Sequence, residues 1–164
     1  MWETALATAA SEFLDISDIS TIVQVTIRLL LAILLGGILG YEREQQGKAA
    51  GLRTHILVCA GTAMLVLAAG PTDVLGDPMS RVIQGILAGV GFLCAGSIIK
   101  NDNKNDVHGL TTAASVWFTA AIGVVVGLGQ PVLGFLSTLL AVLVLHCLPP
   151  LFERAKIAHK ESDD

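Results

Sequence analysis

The residues with most chemistry to offer stand together in Gly40–His55, GYEREQQGKAAGLRTH, where Glu42, Arg43, Glu44, Lys48 and Arg53 interrupt an otherwise apolar chain. Two carboxylates two residues apart point about 200° apart on a continuing helix, so Glu42 and Glu44 cannot share a direction. One can turn inward, to Arg53, Arg43 or Lys100 or to the amides of a helix N-terminus, while the other meets water. Such a pair serves an interfacial ion-pair network or a hydrated Mg²⁺ held by one or two carboxylates. His55 and Cys59, one turn apart, and His146 with Cys147 offer imidazole and thiol, but no second ligand pair stands at zinc-finger spacing. We therefore expect no metal site and no cofactor.

Inside the apolar runs the polar residues are Arg28, with Gln24 one turn away, and a series of hydroxyls that includes Thr111, Thr112, Ser115 and Thr119. A cation at this depth must lie near an edge, be paired, or be functional; snorkelling to the outer surface, where Asp73 or Asp77 could meet Arg28, is as open as a functional role. Every acid lies in a loop or at the edge of a run, whereas a proton or divalent-cation path normally carries a buried one. There is no nucleophile elbow, Walker loop, dinucleotide fingerprint or Ser/His/Asp set, so an enzyme is a poor reading. The segment KNDNKNDVH (100–108) mixes both signs and does not suggest nucleic acid.

The elements that must position these groups are membrane helices. Hydrophobic residues make up 53% of the 164 and charged ones 15%, which places the chain in lipid rather than water. Five continuous apolar runs are long enough to span: approximately Thr21–Gly40, Leu52–Gly70, Arg81–Ile99, Leu110–Leu128 and Pro131–Leu148. In lipid each must be helical, giving an all-α, polytopic membrane bundle of about five transmembrane helices. Eight of the ten basic residues (Arg43, Lys48, Arg53, Lys100, Lys104, Arg154, Lys156, Lys160) fall on one side, while Arg81 stands on the other with Glu3, Glu12, Asp15, Asp18, Asp73 and Asp77. That bias puts the N-terminus outside and the C-terminus in the cytoplasm. Residues 1–20 form an external segment, which lacks the basic start of a signal peptide. Residues 21–148 are the transmembrane domain and 149–164 a short cytoplasmic tail, with a helix running on past the membrane as the alternative for the tail. Cys59, Cys94 and Cys147 read as small buried hydrophobes.

Gly51-Leu-Arg-Thr54 and Gly109-Leu-Thr-Thr112 open the second and fourth spans fifty-eight residues apart, a spacing consistent with a duplicated helical hairpin or with chance. Small residues also define faces for close helix packing: Gly36 and Gly40 in the first span, Gly85, Gly89 and Gly96 in the third, and Gly123 and Gly127 in the fourth.

Four ordered pieces carry a resemblance to a known family. LGGILGYERE (35–44), GLRTH (51–55), QGILAGVGFLCAGSIIK (84–100) and GLTTAASVW (109–117), followed by AAIGVVVGLG, resemble the MgtC/SapB family of bacterial membrane proteins. The likeness covers about Arg28 to Leu148. It implies a multi-pass protein of the bacterial inner (cytoplasmic) membrane with about five spans, linked to growth in low magnesium and, in intracellular pathogens, to survival and virulence. It also implies a non-enzymatic regulator of a membrane partner, such as an ATP synthase subunit, or of ion homeostasis. Glu42, Arg43, Glu44, Arg53, Thr54, Thr111, Thr112, Ser115 and Trp117 are carried over as motif positions. Some relatives have an additional soluble C-terminal domain, which we do not expect here. We expect a homo-oligomer in the lipid bilayer. The alternative is a small ion or solute transporter or channel with a cytoplasmic gate at Glu42, Glu44 and Arg53.

Overall fold

The computed structural model describes residues 1–14, 19–70, 77–101 and 106–161. Six helices follow one another: α1 (Trp2–Leu14), α2 (Ile19–Gln45), α3 (Leu52–Ala68), α4 (Asp77–Gly96), α5 (Leu110–Gly127) and α6 (Pro131–Glu161). Between α4 and α5, β1 (Ile99–Asn101) and β2 (Asp106–His108) pair antiparallel, Ile99 opposite His108 and Asn101 opposite Asp106. Apart from this short hairpin the described chain is helical, as expected. The hairpin forms where two antiparallel helices bring their connecting ends side by side.

The apolar runs become helices because nothing inside them breaks the pattern and each boundary carries a stop. Gly51 precedes α3, and Gly70, at φ 94°, follows it. Gly109, at φ 93°, precedes α5 in a backbone conformation few other residues adopt, and a Cβ there would collide with the Ser97 carbonyl. Gly129, at φ 81°, turns the chain from α5 into α6, whose first residue is Pro131, a position where the missing N–H removes no helical hydrogen bond.

Among the described residues, three helices are long and apolar enough to cross a membrane, Ile19–Gln45, Pro78–Gly96 and Leu110–Gly127. Leu52–Ala68 and Pro131–His146 are shorter apolar helices. The seventeen residues of α3 rise about 25 Å, at the lower limit for a span. The third run ends at Gly96 rather than Ile99, which has joined β1, and the fifth continues as helix to Glu161, so the tail is helical.

Helix α3 is the centre of the bundle, with α2 and α5 against it and α6 against both of those; α4 leans mainly on α5. One apolar cluster joins α2, α3 and α5 through Leu35, Leu39, Cys59, Ala63, Ile122 and Val126. A second, built around Val66, Ile86, Val90, Val116 and Val124, ties in α4. Large apolar side chains are exposed on the outer faces, including Leu30 and Leu34 of α2, Phe92 of α4 and Leu140 of α6, while small and polar residues lie inside. That inversion of the soluble pattern is what a lipid-facing bundle requires. Asp15, Asp18, Asp73 and Lys104, counted in the charge argument, lie outside the described residues.

Candidate functional site

At the charged end of the bundle, α2 runs past its apolar portion and delivers Glu42 and Arg43 into the interior, where they are 9% and 2% exposed. Arg43 Nε donates to Glu42 Oε2 at 2.5 Å, and Arg43 Nη2 lies 3.5 Å from the carbonyl oxygen of Leu145 on α6. The second carboxylate oxygen, Glu42 Oε1, is buried and meets no hydrogen-bond donor among the described residues. A carboxylate left half satisfied in a low-dielectric interior is costly, and such an atom is where a proton or a cation would gain most.

Glu44 lies on the opposite side of the α2 helix and is exposed, but its Oε2 accepts the Leu52 N–H at 2.8 Å. This supplies the start of α3 with the acceptor that its N-terminal amides lack, and places a negative charge at the positive end of the helix dipole. The loop closes tightly enough that a Cβ on Gly51 would stand 2.8 Å from that same oxygen.

Beside the buried ion pair, His55 is fully enclosed. Its Nδ1 lies 2.9 Å from the Gly51 carbonyl oxygen and its Nε2 3.2 Å from Ser115 Oγ on α5. A carbonyl only accepts, so Nδ1 carries a proton. Ser115 Oγ also lies 2.8 Å from the Thr112 carbonyl. The serine has one proton for two neighbours. Either a neutral imidazole accepts from Ser115, or Ser115 donates to Thr112 and a protonated Nε2 donates to Ser115. Thr119 Oγ1 donates to the Ser115 carbonyl at 2.8 Å, which continues the hydroxyl series within α5.

The structure brings Glu42, Arg43 and Ser115 together and leaves other expected residues apart. Arg53 and Thr54 are exposed on α3, and among the described residues Arg53 pairs with neither glutamate. Thr111 and Trp117 are exposed, and Thr112 is buried. Arg28 lies at the other end of the bundle, half-buried, with Nη1 donating to the Gly127 carbonyl at 3.0 Å, where it neutralises the negative end of α5. Of the acids expected to meet it, Asp73 is outside the described residues and the Asp77 side chain is not described. His55 is the participant that sequence reasoning misplaces. Pairing it with Cys59 as a metal ligand fails because both ring nitrogens are taken. The available signal is that His55 and Ser115 each stand in a Gly-Leu motif at the start of a span.

Packing glycines hold these helices close. A Cβ on Gly36 would lie 2.7 Å from Cys59 Cβ, one on Gly40 2.7 Å from Leu52 Cα, and one on Gly127 2.8 Å from Val66 Cβ. Gly123 would collide with Thr62 Oγ1 and the Cys59 carbonyl. Gly85, Gly89 and Gly96 of α4 would meet nothing within 4 Å. Among the described residues no three of His, Cys, Asp and Glu converge as a metal site would need.

A family model described as the MgtC family matches residues 29–154. Protein SrpB of Synechococcus elongatus is 43% identical over 131 residues, 72% of this chain and 71% of SrpB. YhiD of Escherichia coli K12, named provisionally as a magnesium transporter, is 44% identical over 128 residues, 73% of this chain and 58% of YhiD. Protein MgtC of Salmonella typhimurium LT2 is 40% identical over 129 residues, 79% of this chain and 52% of that protein. The chain therefore spans little more than half the length of the last two. No solved structure gives a significant match.

Proposed function

The chain belongs to the MgtC family, and from that premise we propose that it is a five-span protein of the bacterial cytoplasmic membrane that regulates a membrane partner or ion homeostasis under magnesium limitation, without catalysing a reaction. In this reading the N-terminus is outside, the charged end with Glu42, Arg43 and Glu44 faces the cytoplasm, and the chain acts as a homo-oligomer or with a membrane-protein partner. The observation that carries it is the distribution of close contacts. The interior closes by helix-to-helix approach at Gly36, Gly40, Gly123 and Gly127, while Gly85, Gly89 and Gly96 of α4 meet nothing within 4 Å among the described residues and leave room for a docking helix. The magnesium link is supported by the likeness to YhiD, which is named for magnesium transport.

Transport, with a cytoplasmic gate at Glu42, Glu44 and Arg53, is the second reading, favoured by one observation: the buried Glu42 Oε1 meets no hydrogen-bond donor among the described residues. Purified protein in liposomes, assayed for Mg²⁺, proton and anion flux, separates the two. The regulator reading expects no flux together with recovery of a membrane partner on mild solubilisation; flux abolished by Glu42→Gln would overturn it.

A further inference from the structure

A cavity of about 580 Å³ opens at the charged end between the end of α2, strand β2, the first turn of α5 and α6. Arg43, Lys48 and His108 line it, with Thr111 and Thr112 from the first turn of α5, and none of the described lining residues is an acid. Among the described residues no side-chain hydrogen bond reaches the first amides of α5, whereas the first amide of α3 is held by Glu44. Two buried polar groups in this lining have capacity to spare. Thr112 is 4% exposed, and its hydroxyl makes no hydrogen bond among the described residues. Arg43 is 2% exposed; Nε serves Glu42 and Nη2 has only the long contact to Leu145, while Nη1 has no hydrogen bond among the described residues. Positive charge, helix amides and a spare hydroxyl on one cavity are the donor set of a phosphate site.

The cavity is only half of the feature. A second space of about 670 Å³, almost wholly apolar, shares Leu110, Thr111, Val144 and Leu145 with the first and extends between α5 and α6 to Phe118 and Leu140. A polar cup that continues into an apolar trough along a membrane helix matches a phosphate with an acyl chain attached. Because Glu42 already offsets Arg43, the lining suits a singly charged phosphodiester better than a dianion. We propose that this paired cavity is a binding site for one anionic phospholipid of the leaflet on the charged side, the phosphate held by Lys48, Arg43, Thr112 and the start of α5, and an acyl chain lying along α5 and α6. The inference rests on the membrane placement of the bundle and is independent of whether the protein regulates or transports.

The test is native mass spectrometry of the full chain in detergent, titrated separately with phosphatidylglycerol, phosphatidylcholine and inorganic phosphate. Thermal unfolding of each variant verifies its fold. The expected result is one tightly held phosphatidylglycerol, preferred over phosphatidylcholine, with affinity lowered about fivefold by Lys48→Gln and further when Thr112→Val is added. Ala114→Phe, which fills the trough, should weaken the lipid without touching the polar cup. Equal binding of the two lipids, or unchanged phosphatidylglycerol affinity in the folded Lys48→Gln/Thr112→Val protein, overturns the site. Binding of inorganic phosphate that Lys48→Gln weakens, with Ala114→Phe leaving phosphatidylglycerol binding unaltered, overturns the lipid assignment in favour of a free phosphate.

Discussion

Helices α2 and α4 occupy corresponding places, each leading into a helix that starts with Gly-Leu-polar-Thr, yet they use their glycines differently. On α2, Gly36 and Gly40 are pressed against the backbone of α3, and the loop that follows is closed by Glu44 on Leu52 N. On α4, Gly85, Gly89 and Gly96 meet nothing within 4 Å, and among the described residues no side chain caps α5. The two helix starts differ in backbone as well, Gly51 at φ −106° and Gly109 at φ 93°. If an ancestral hairpin was duplicated, the copies have diverged into one closed on itself and one turned outward. Glycine in a helix interior is destabilising by about 0.5–1 kcal/mol relative to alanine, and the three on α4 gain no close contact with the described residues in return.

Four substitutions can break or sharpen that contrast, each measured as unfolding free energy in detergent micelles. Arg43→Met should be the most severe, about 3–5 kcal/mol, because it strands Glu42 as an uncompensated buried charge; a neutral result would mean that the closed end is wet. Gly40→Ala comes next, at about 1–3 kcal/mol, since a methyl there runs into the backbone of Leu52. Glu44→Gln should remove about 0.3–1 kcal/mol, the worth of a surface carboxylate at a helix N-terminus, and the loss should shrink in high salt. Gly89→Ala should raise the stability of the isolated chain by about 0.5–1 kcal/mol, because the added methyl meets nothing there. The same variant should weaken self-association or partner recovery, read by crosslinking in membranes; if it instead destabilises the isolated chain as Gly40→Ala does, the contrast between α2 and α4 fails.

The helices were legible because each apolar run is uninterrupted and bounded by charge or glycine. The β1–β2 pairing was not, since KNDNKNDVH has neither alternation nor a β-branched run, and its strands pair because α4 and α5 bring them together. Helical periodicity explains why Glu42 and Glu44 separate, one inward and one to the rim. It gives no hint that Glu42 meets its own neighbour Arg43, because adjacent helix positions do not face each other and the pair forms only when the surrounding helices enclose both side chains. The bond of His55 to Ser115 crosses sixty residues and depends on the rotation of α5 against α3, which spacing along one helix cannot specify. Glycine spacing marks the smooth face of α4 but not whether a neighbour lies against it.

The bond from Arg28 to the Gly127 carbonyl sets a condition on biogenesis. Donor and acceptor are 99 residues apart, and Gly129, whose Cβ would stand 2.5 Å from Arg28 Nη2, completes the same turn. At bacterial-scale synthesis of about 5–20 residues per second, the arginine waits about 5–20 s in the first span before its partner exists. During that interval its charge must be hosted by water, headgroups or the insertion machinery. The cap that Arg28 provides is therefore made only after α5 has been synthesised.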